Sequence, residues 1–477
     1  MSKRANLEVD QVGYIHFLDD WMLMSHRNME RRLGSPKYVP EATLEDGLTE
    51  GTWNFPMVAR IPETGKYVAL YGAACTPPSL EEFNKTLRFK ARVQVLCYAE
   101  STDGIHWTRP DLRGKVSFPG PVYAPNQVWG CDLVVDGGPV YYDPYESNPN
   151  YRFKYVLSHM AGAPHEKGPK AMVTSPDGIH WELTHRFDNL AGTDSPCSVF
   201  YNPKRRCYVL NGREFGGDRR VWFRETTDWV NFSEPELIMH PDPEDPPLVG
   251  LYGMPVYEYE DIFIGLLWWI YCDPFTNGLP NGGMECALAY SYDGNHFNRL
   301  FHKPFIKRNE LGDHGGGCIY TGCMLVDENH QIRFYSGGSK AEHFQNQELT
   351  DAALMLHTLR LDGFAYLATH AGRGWVRTKP FIITGDDLRI NARSPYGGIR
   401  VRILDERAQE IPGFGFAECE PLLGDELFWS PRWNGRTFGD VKSDERRSLE
   451  FEIMTGELYG IRGDFQMLTS LWKKPTT

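Results

Sequence analysis

Four carboxylates stand where short apolar runs begin or end. Asp132 lies in Cys131-Asp-Leu-Val-Val135 and Asp194 in Thr193-Asp-Ser-Pro196. Asp313 opens Asp313-His-Gly-Gly-Gly317, and Glu214 follows Tyr208-Val-Leu-Asn-Gly-Arg213. Two such groups held close, one protonated and one ionised, can run acid–base or nucleophilic bond cleavage. Arg213 could clamp a carboxylate, sulfate or phosphate, or keep a neighbouring acid ionised. Trp53, Trp129 and the Trp268-Trp269 pair could offer an aromatic face to an apolar ligand surface. Each residue also has a plain structural reading: an Asp capping a turn before Pro, an Arg in a salt bridge between layers, a Trp in the core. Asp313, His314 and their three glycines read either as a catalytic loop or as a turn whose glycines let the chain pass close by.

These residues need a scaffold, and a repeat supplies it. Ser-x-Asp-Gly-x-x-aromatic occurs at Ser101-Thr-Asp103-Gly-Ile-His-Trp107, at Ser175-Pro-Asp177-Gly-Ile-His-Trp181 and at Ser291-Tyr-Asp293-Gly-Asn-His-Phe297. Thr226-Thr-Asp228-Trp-Val-Asn-Phe232 is a weaker copy, and Leu359-Arg-Leu-Asp362-Gly-Phe364 a degenerate fifth. Asp-Gly favours a tight turn, because Gly accepts positive φ and the carboxylate bonds nearby N–H groups. Strand-like runs precede each copy. Four short strands per unit of about 65 residues, five times over, predict a five-bladed β-propeller. The inner strands would open at Trp53-Asn54, Cys131-Asp132, Asp194, Tyr252 and Asp313-His314, and these openings would ring one mouth of the channel. The repeat aspartates close outer hairpins and are expected to stabilise turns, not to catalyse. Beyond about residue 370 the repeat stops and alternating strands suggest a β-sandwich. The expected organisation is an all-β chain: a wrapping segment 1–50, a propeller 51–369 and a sandwich 370–477. In the first segment, Met22–Leu33 reads as a short helix or an extended wrap.

Composition agrees. The 477 residues include 13 Trp, 24 Tyr, 26 Phe, 47 Gly and 33 Pro, a strand-and-turn inventory. The net charge of −13 argues against nucleic acid as the main partner. No run of 18 apolar residues would span a membrane, and the N-terminal residues lack the apolar region of a signal peptide. The ten cysteines form no C-x-x-C pair and no zinc spacing. They are expected to be reduced thiols in a cytoplasmic protein, with neither metal nor cofactor.

A propeller followed by a sandwich resembles the superfamily of glycoside hydrolase families 32, 43 and 68, and most of all an uncharacterised bacterial family 32-like group. The matching residues are Phe17-Leu18-Asp19-Asp20, Tyr98 to Trp107, Tyr208 to Arg213, Leu251-Tyr-Gly-Met254, Thr378-Lys-Pro380, Leu388-Arg-Ile-Asn391, Gly398 to Arg402, Ile411-Pro-Gly-Phe414 and Leu458-Tyr459. The resemblance implies a glycosidase acting on the end of an oligosaccharide or small glycoside. Two carboxyls about 5–5.5 Å apart would retain, and about 6.5–9.5 Å apart would invert, the anomeric configuration. It favours Asp194, which sits where the superfamily places a catalytic or sugar-binding carboxylate, with Asp132, Asp313 and Glu214 as further catalytic candidates. Trp53, Asn54, Trp129, Arg213, Glu285, His314 and His343 are the candidate substrate-binding residues. The chain departs from family 32: Trp53-Asn-Phe-Pro56 replaces the Asn-Asp-Pro-Asn nucleophile motif, and no Arg-Asp-Pro is present. Met284-Glu285-Cys286 matches the acid motif but precedes the fourth repeat, on a middle or outer strand. Two alternatives stay open. One is a phosphorylase like the five-bladed mannoside phosphorylases, with Arg213, His314 and His343 as the phosphate site. The other is a sugar-binding propeller without catalysis. The C-terminal domain would buttress the propeller or mediate self-association into a homo-oligomer.

Overall fold

The computed structural model describes residues 12–45, 55–75, 93–130, 135–159, 170–187, 190, 193–214, 219–272, 282–343 and 352–467. Among them every regular element is a strand or a short 3-10 turn, and no helix is long and apolar enough to cross a membrane. Two compact units form. One holds residues 36–358; the other joins the two ends of the chain, up to Ser35 and from Leu359 onward.

The N-terminal strands divide between them. β1 (Val12–His16), β2 (Leu23–Arg27) and β3 (Met29–Leu33) belong to the unit of the chain ends, whereas β4 (Lys37–Tyr38) and β5 (Leu44–Glu45) belong to the other. The stretch expected to wrap as one piece is therefore shared, and Met22–Leu33 takes the extended of its two readings, as two strands at opposite ends of one sheet.

The unit 36–358 is built from antiparallel groups of strands. The first group is β6 (Met57–Arg60), β7 (Tyr67–Cys75), β8 (Val93–Ser101) and β9 (Gln127–Trp129). The second is β10 (Val135–Gly137), β11 (Tyr141–Tyr142), β12 (Phe153–His159), β13 (Lys170–Ser175) and β14 (Glu182–Phe187). The third is β15 (Thr193–Asn202), β16 (Cys207–Glu214), β17 (Val221–Thr226) and β18 (Glu236–Met239). The fourth is β19 (Val249–Gly253), β20 (Val256–Tyr259), β21 (Ile262–Tyr271) and β22 (Met284–Ser291). A single parallel pairing, Met284 with Cys318, links it to β23 (Cys318–Val326), β24 (Gln331–Ser339) and β25 (Ala353–Arg360). β4 and β5 add to the free edge of β25, so residues before the first group complete the last.

The Ser-x-Asp repeat folds alike at four places. Gly294 N–H donates to the Ser291 hydroxyl (2.9 Å), which donates in turn to Asp293 Oδ1 (2.9 Å). The same oxygen accepts the N–H groups of Asn295 (2.9 Å) and His296 (2.8 Å), while Oδ2 meets His296 Nδ1 (2.6 Å). Asp103 with His106, Asp177 with His180 and Asp228 with Asn231 reproduce the set. The turns also bind neighbouring groups. Gly178 sits over Leu70 and Val68 of β7, Trp229 stacks on Phe187 of β14, and Asn202 of β15 donates to Asp293 O (2.8 Å). The first turn meets the last group: Tyr335 of β24 donates to Gly104 O (3.0 Å). β23 packs beside β6, with Cys323 Sγ 3.0 Å from Val58 O. The groups thus follow one another around a closed circuit.

The fifth copy departs from the expected turn. Position 360 is Arg instead of Ser, and Asp362 is 2% exposed. It accepts hydrogen bonds from Tyr14 (3.0 Å), Asn391 (3.0 Å) and both terminal nitrogens of Arg462 (2.5 and 2.6 Å).

The repeat turns give the fold an acid dependence. Burial would raise the Asp293 carboxyl, but the His296 N–H and imidazole, the Asn295 N–H and the Ser291 hydroxyl outweigh it and hold the group at about 2. Asn231 holds Asp228 at about 2 in the same way. A depressed carboxyl stabilises fully above its unfolded value of 3.8 and loses that contribution as pH falls through its folded value. Thermal melts at about pH 7, 4 and 2.5 should show stability falling between the last two. Asp293→Asn should cost about 1 kcal/mol at neutral pH and soften that acid loss; an unchanged acid profile would contradict the assignment.

Close approach of β23 to the residue before β6 makes a second demand. A Cβ on Gly322 of β23 would lie 2.3 Å from the Pro56 carbonyl oxygen, a backbone atom with little room to yield. Gly322→Ala is expected to cost about 1–3 kcal/mol by overpacking, read by denaturant unfolding. A neutral result would show that the two segments can separate freely.

The unit of the chain ends is a single nine-stranded sheet. Its further strands are β26 (Ala365–Thr369), β27 (Arg373–Thr378), β28 (Phe381–Leu404), β29 (Leu422–Trp429), β30 (Ser448–Met454) and β31 (Glu457–Met467). β1 pairs with β31, β2 with β27 and β3 with β26. Alternate residues of the central strands, such as Val401 and Ile403 of β28 and Phe451 and Ile453 of β30, are fully buried, the period of two that a half-buried sheet requires.

Candidate functional site

Cations and aromatic rings from several strand groups of the unit 36–358 gather at one place. Arg213 comes from the end of β16, Arg219 from just before β17, Tyr252 from β19, Trp268 from β21 and Tyr320 from β23. Phe55 precedes β6 and His343 follows β24. The Arg213 and Arg219 guanidinium carbons lie 4.5 and 4.6 Å from the Tyr252 ring centroid, within cation–π range. The His343 ring meets Tyr252 edge-on at 5.0 Å, and its Nδ1 is 3.3 Å from the Tyr320 hydroxyl. Phe55 stacks on Trp268 at 5.2 Å and meets Tyr320 edge-on. Trp268 donates from its indole to Thr321 O (2.9 Å). Arg213 is 8% exposed and His343 fully buried. Burial, reinforced by Arg213, holds the His343 imidazole down at about 3. It is neutral at physiological pH, so it can exchange hydrogen bonds but adds no positive charge.

The sequence candidates distribute as follows. Asp132, Trp53 and Asn54 lie outside the described residues. Asp194 lies on β15, and its backbone is the cross-strand partner of Arg213; Thr193 faces Glu214 in the same register. Glu214 is ion-paired with Arg224 at 3.1 Å. His343 and Arg213 share the cluster; His314 does not, because its Nε2 meets Glu45 at 3.0 Å. Asp313 is exposed and belongs to a turn in which Gly316 N–H donates to its carbonyl (2.9 Å). A Cβ on Gly317 would fall 2.1 Å from the Ala341 backbone, so the chain passes close to its neighbour there. Glu285 accepts the Tyr271 hydroxyl (2.7 Å) and Arg308 N–H (3.1 Å) on β22, the third strand along its group.

Trp129 requires a correction. It ends β9, the fourth strand of its group, and is 5% exposed among Leu96, Tyr98, Leu157 and other apolar side chains. An edge position between two strand groups buries the ring and leaves it no face for a ligand. Trp268 and Trp269 are likewise fully buried, Trp269 within the apolar cluster that joins the third and fourth groups. The aromatic residues that do line the cluster beside the arginines, Tyr252 and Tyr320, stood within the expected inner-strand openings without being singled out. Arg219 had one signal, the Gly216-Gly-Asp-Arg-Arg220 run between two strands.

Burial pushes the thiols of Cys286, Cys318 and Cys323 up to about 12. They stay protonated at neutral pH and offer no thiolate nucleophile. Among the described residues one group has metal-ligand spacing, Asp242, Asp245 and His302. The Arg299 guanidinium already reaches both carboxylates, at 2.5 and 2.6 Å, and supplies the positive charge there.

No protein-family model and no curated protein matches the chain. Among solved structures it is similar to an N-acetylgalactosamine deacetylase from F. plautii in complex with blood group B trisaccharide. That match has 16% identity and a TM-score of 0.43, over 70% of this chain and 96% of that one. It is also similar to a β-1,2-mannobiose phosphorylase from Listeria innocua, at 13% identity and a TM-score of 0.46, over 71% and 98%. An α-L-arabinofuranosidase from Podospora anserina matches at 14% identity and a TM-score of 0.40, over 68% and 97%. Similarity of this degree assigns no reaction and no residue.

Proposed function

We propose that residues 36–358 form a five-bladed β-propeller, that the sheet of the chain ends belongs to a β-sandwich, and that the protein is a glycosidase. It would cleave a glycosidic bond at the end of an oligosaccharide or small glycoside where Arg213, Tyr252, Tyr320 and His343 converge. The observation that carries this reading is the convergence itself. Residues from successive strand groups meet at one place, and Asp194 is the cross-strand neighbour of the buried Arg213 there. Asp194 is proposed as one of the two carboxyls that the reaction needs, with Asp132 as the other. Glu214 is committed to Arg224 and Asp313 is an exposed turn residue, so neither is given a catalytic role. The family 32-like resemblance of the sequence belongs to the same proposal.

The test is a screen of the purified full-length protein on nitrophenyl glycosides and short oligosaccharides, with and without phosphate. Phosphate-independent turnover supports the hydrolase. Turnover only with phosphate would replace it by a phosphorylase. Saturable sugar binding with no turnover on any glycoside would replace it by a binding propeller.

A further inference from the structure

Arg219 is held in place at some cost. Its carbonyl accepts the Leu251 N–H (3.1 Å), which ties it to β19. Its aliphatic stem lies over Gly250: a Cβ there would come within 3.2 Å of Arg219 Cβ and 3.5 Å of its Cδ. The missing side chain at 250 makes room for the arginine. The guanidinium then reaches the Tyr252 ring. Its Nε and Nη1 are out of water and have no hydrogen-bond acceptor among the described residues. Among the described residues it makes no ion pair.

A buried, unmet donor is destabilising, the more so when the group is charged. Two of them on one side chain is an arrangement that folding alone does not favour. A ligand that brings negatively charged oxygens would satisfy the donors and the charge together. His343 is not a substitute for that charge, and an aromatic face attracts a cation without accepting its N–H groups in the plane.

We infer that the ligand of this site carries an oxyanion, a phosphate, sulfate or sugar carboxylate, seated on Arg219. This rests on the reading of the cluster as the sugar site and names the chemistry of what enters it. The oxyanion has two sources. It is either a separate inorganic anion that enters with a neutral glycoside, or a group borne by the sugar itself, as in a uronic acid.

The experiment is calorimetric titration of the full-length protein at low ionic strength with inorganic phosphate, inorganic sulfate and methyl glucuronide, each against wild type, Arg219→Met and Gly250→Ala. At least one probe should bind saturably. Arg219→Met should weaken it by about tenfold or more without lowering the melting temperature, because methionine keeps the stem and removes an unsatisfied charge. Gly250→Ala should weaken the same probe by displacing the stem. Binding of phosphate, with cleavage of neutral glycosides that requires it, identifies the separate anion. Binding of the glucuronide without a phosphate requirement identifies the sugar's own carboxylate. If no probe binds below about 10 mM, or if Arg219→Met binds as wild type does, the inference is wrong. The two readings fail separately. Neutral glycosides cleaved equally by wild type and Arg219→Met would leave the glycosidase and remove the oxyanion subsite. Oxyanion binding with no glycoside cleaved would leave the subsite and remove the glycosidase.

Discussion

Asp194→Asn should lower glycoside turnover by about 10²–10⁴-fold while the protein remains folded. That range is what a positioned acid, base or carboxylate contributes to bond cleavage. Asparagine preserves the volume and most hydrogen-bonding geometry, but it can neither carry a negative charge nor pass a proton. The backbone pairs Asp194 with Arg213 across β15 and β16; after a shift in register the ladder runs from Ser198 with Asn211 to Asn202 with Cys207. A change at residue 194 should therefore leave the β15–β16 pairing intact. The loss should appear in kcat, with KM changing much less, because the group acts on the transition state more than on the bound substrate. Circular dichroism and the melting temperature serve as the folding control. Turnover within about threefold of wild type would remove Asp194 from the mechanism and shift attention to Asp132.

Lys154→Met should destabilise the unit 36–358 by about 3–5 kcal/mol, the cost of breaking a buried ion pair from one side. Lys154 on β12 is wholly shielded from solvent, as is its partner Asp143 (Nζ to Oδ2 2.8 Å). Its ammonium also donates to Glu146 (3.0 Å) and to Tyr151 O (2.7 Å), which uses all three of its protons. Asp143 in turn accepts the Tyr208 hydroxyl of β16 (2.7 Å), so the network joins the second strand group to the third. Burial and Asp143 together raise the Tyr208 phenol well above its usual value, which keeps it a donor at every relevant pH. Methionine fills the space of the stem but leaves two carboxylates without their cation. Asp143→Asn in the Lys154→Met background should recover part of the loss, because it removes one of the stranded charges. Urea unfolding measures both. A cost below about 1 kcal/mol for the single variant would mean that water reaches the network.

Local chemistry was readable from the chain. The Ser-x-Asp-Gly copies were recognisable as turns because the hydroxyl, the carboxylate and the N–H groups they bind lie within five residues of one another. Even the copy in which Trp229 replaces Gly closes in the same way, with its N–H on Thr226 Oγ1 (2.9 Å) and φ of +58°. The degenerate copy at Asp362 failed for the same reason: without a hydroxyl at 360, its partners came from Tyr14, Asn391 and Arg462, far along the chain. Arg213 and His343 could be proposed from their types and neighbours. Trp129 was misplaced because a tryptophan reads alike whether its ring faces a ligand or the next sheet.

The amino-acid order by itself determined the all-β character, the four caged turns, the spacing of the strand groups and the acidic, aromatic-rich composition. These depend on contacts between near neighbours and on a period of two. Tertiary structure alone decided that β1 to β3 join the C-terminal sheet while β4 and β5 close the last strand group. It also decided that Arg213 and Arg219 share the Tyr252 ring, and that Gly250 is bare so that Arg219 can lie across it. Pairing register and the meeting of side chains from separate strand groups are set by packing between residues tens to hundreds of positions apart, and no short stretch of sequence carries that information.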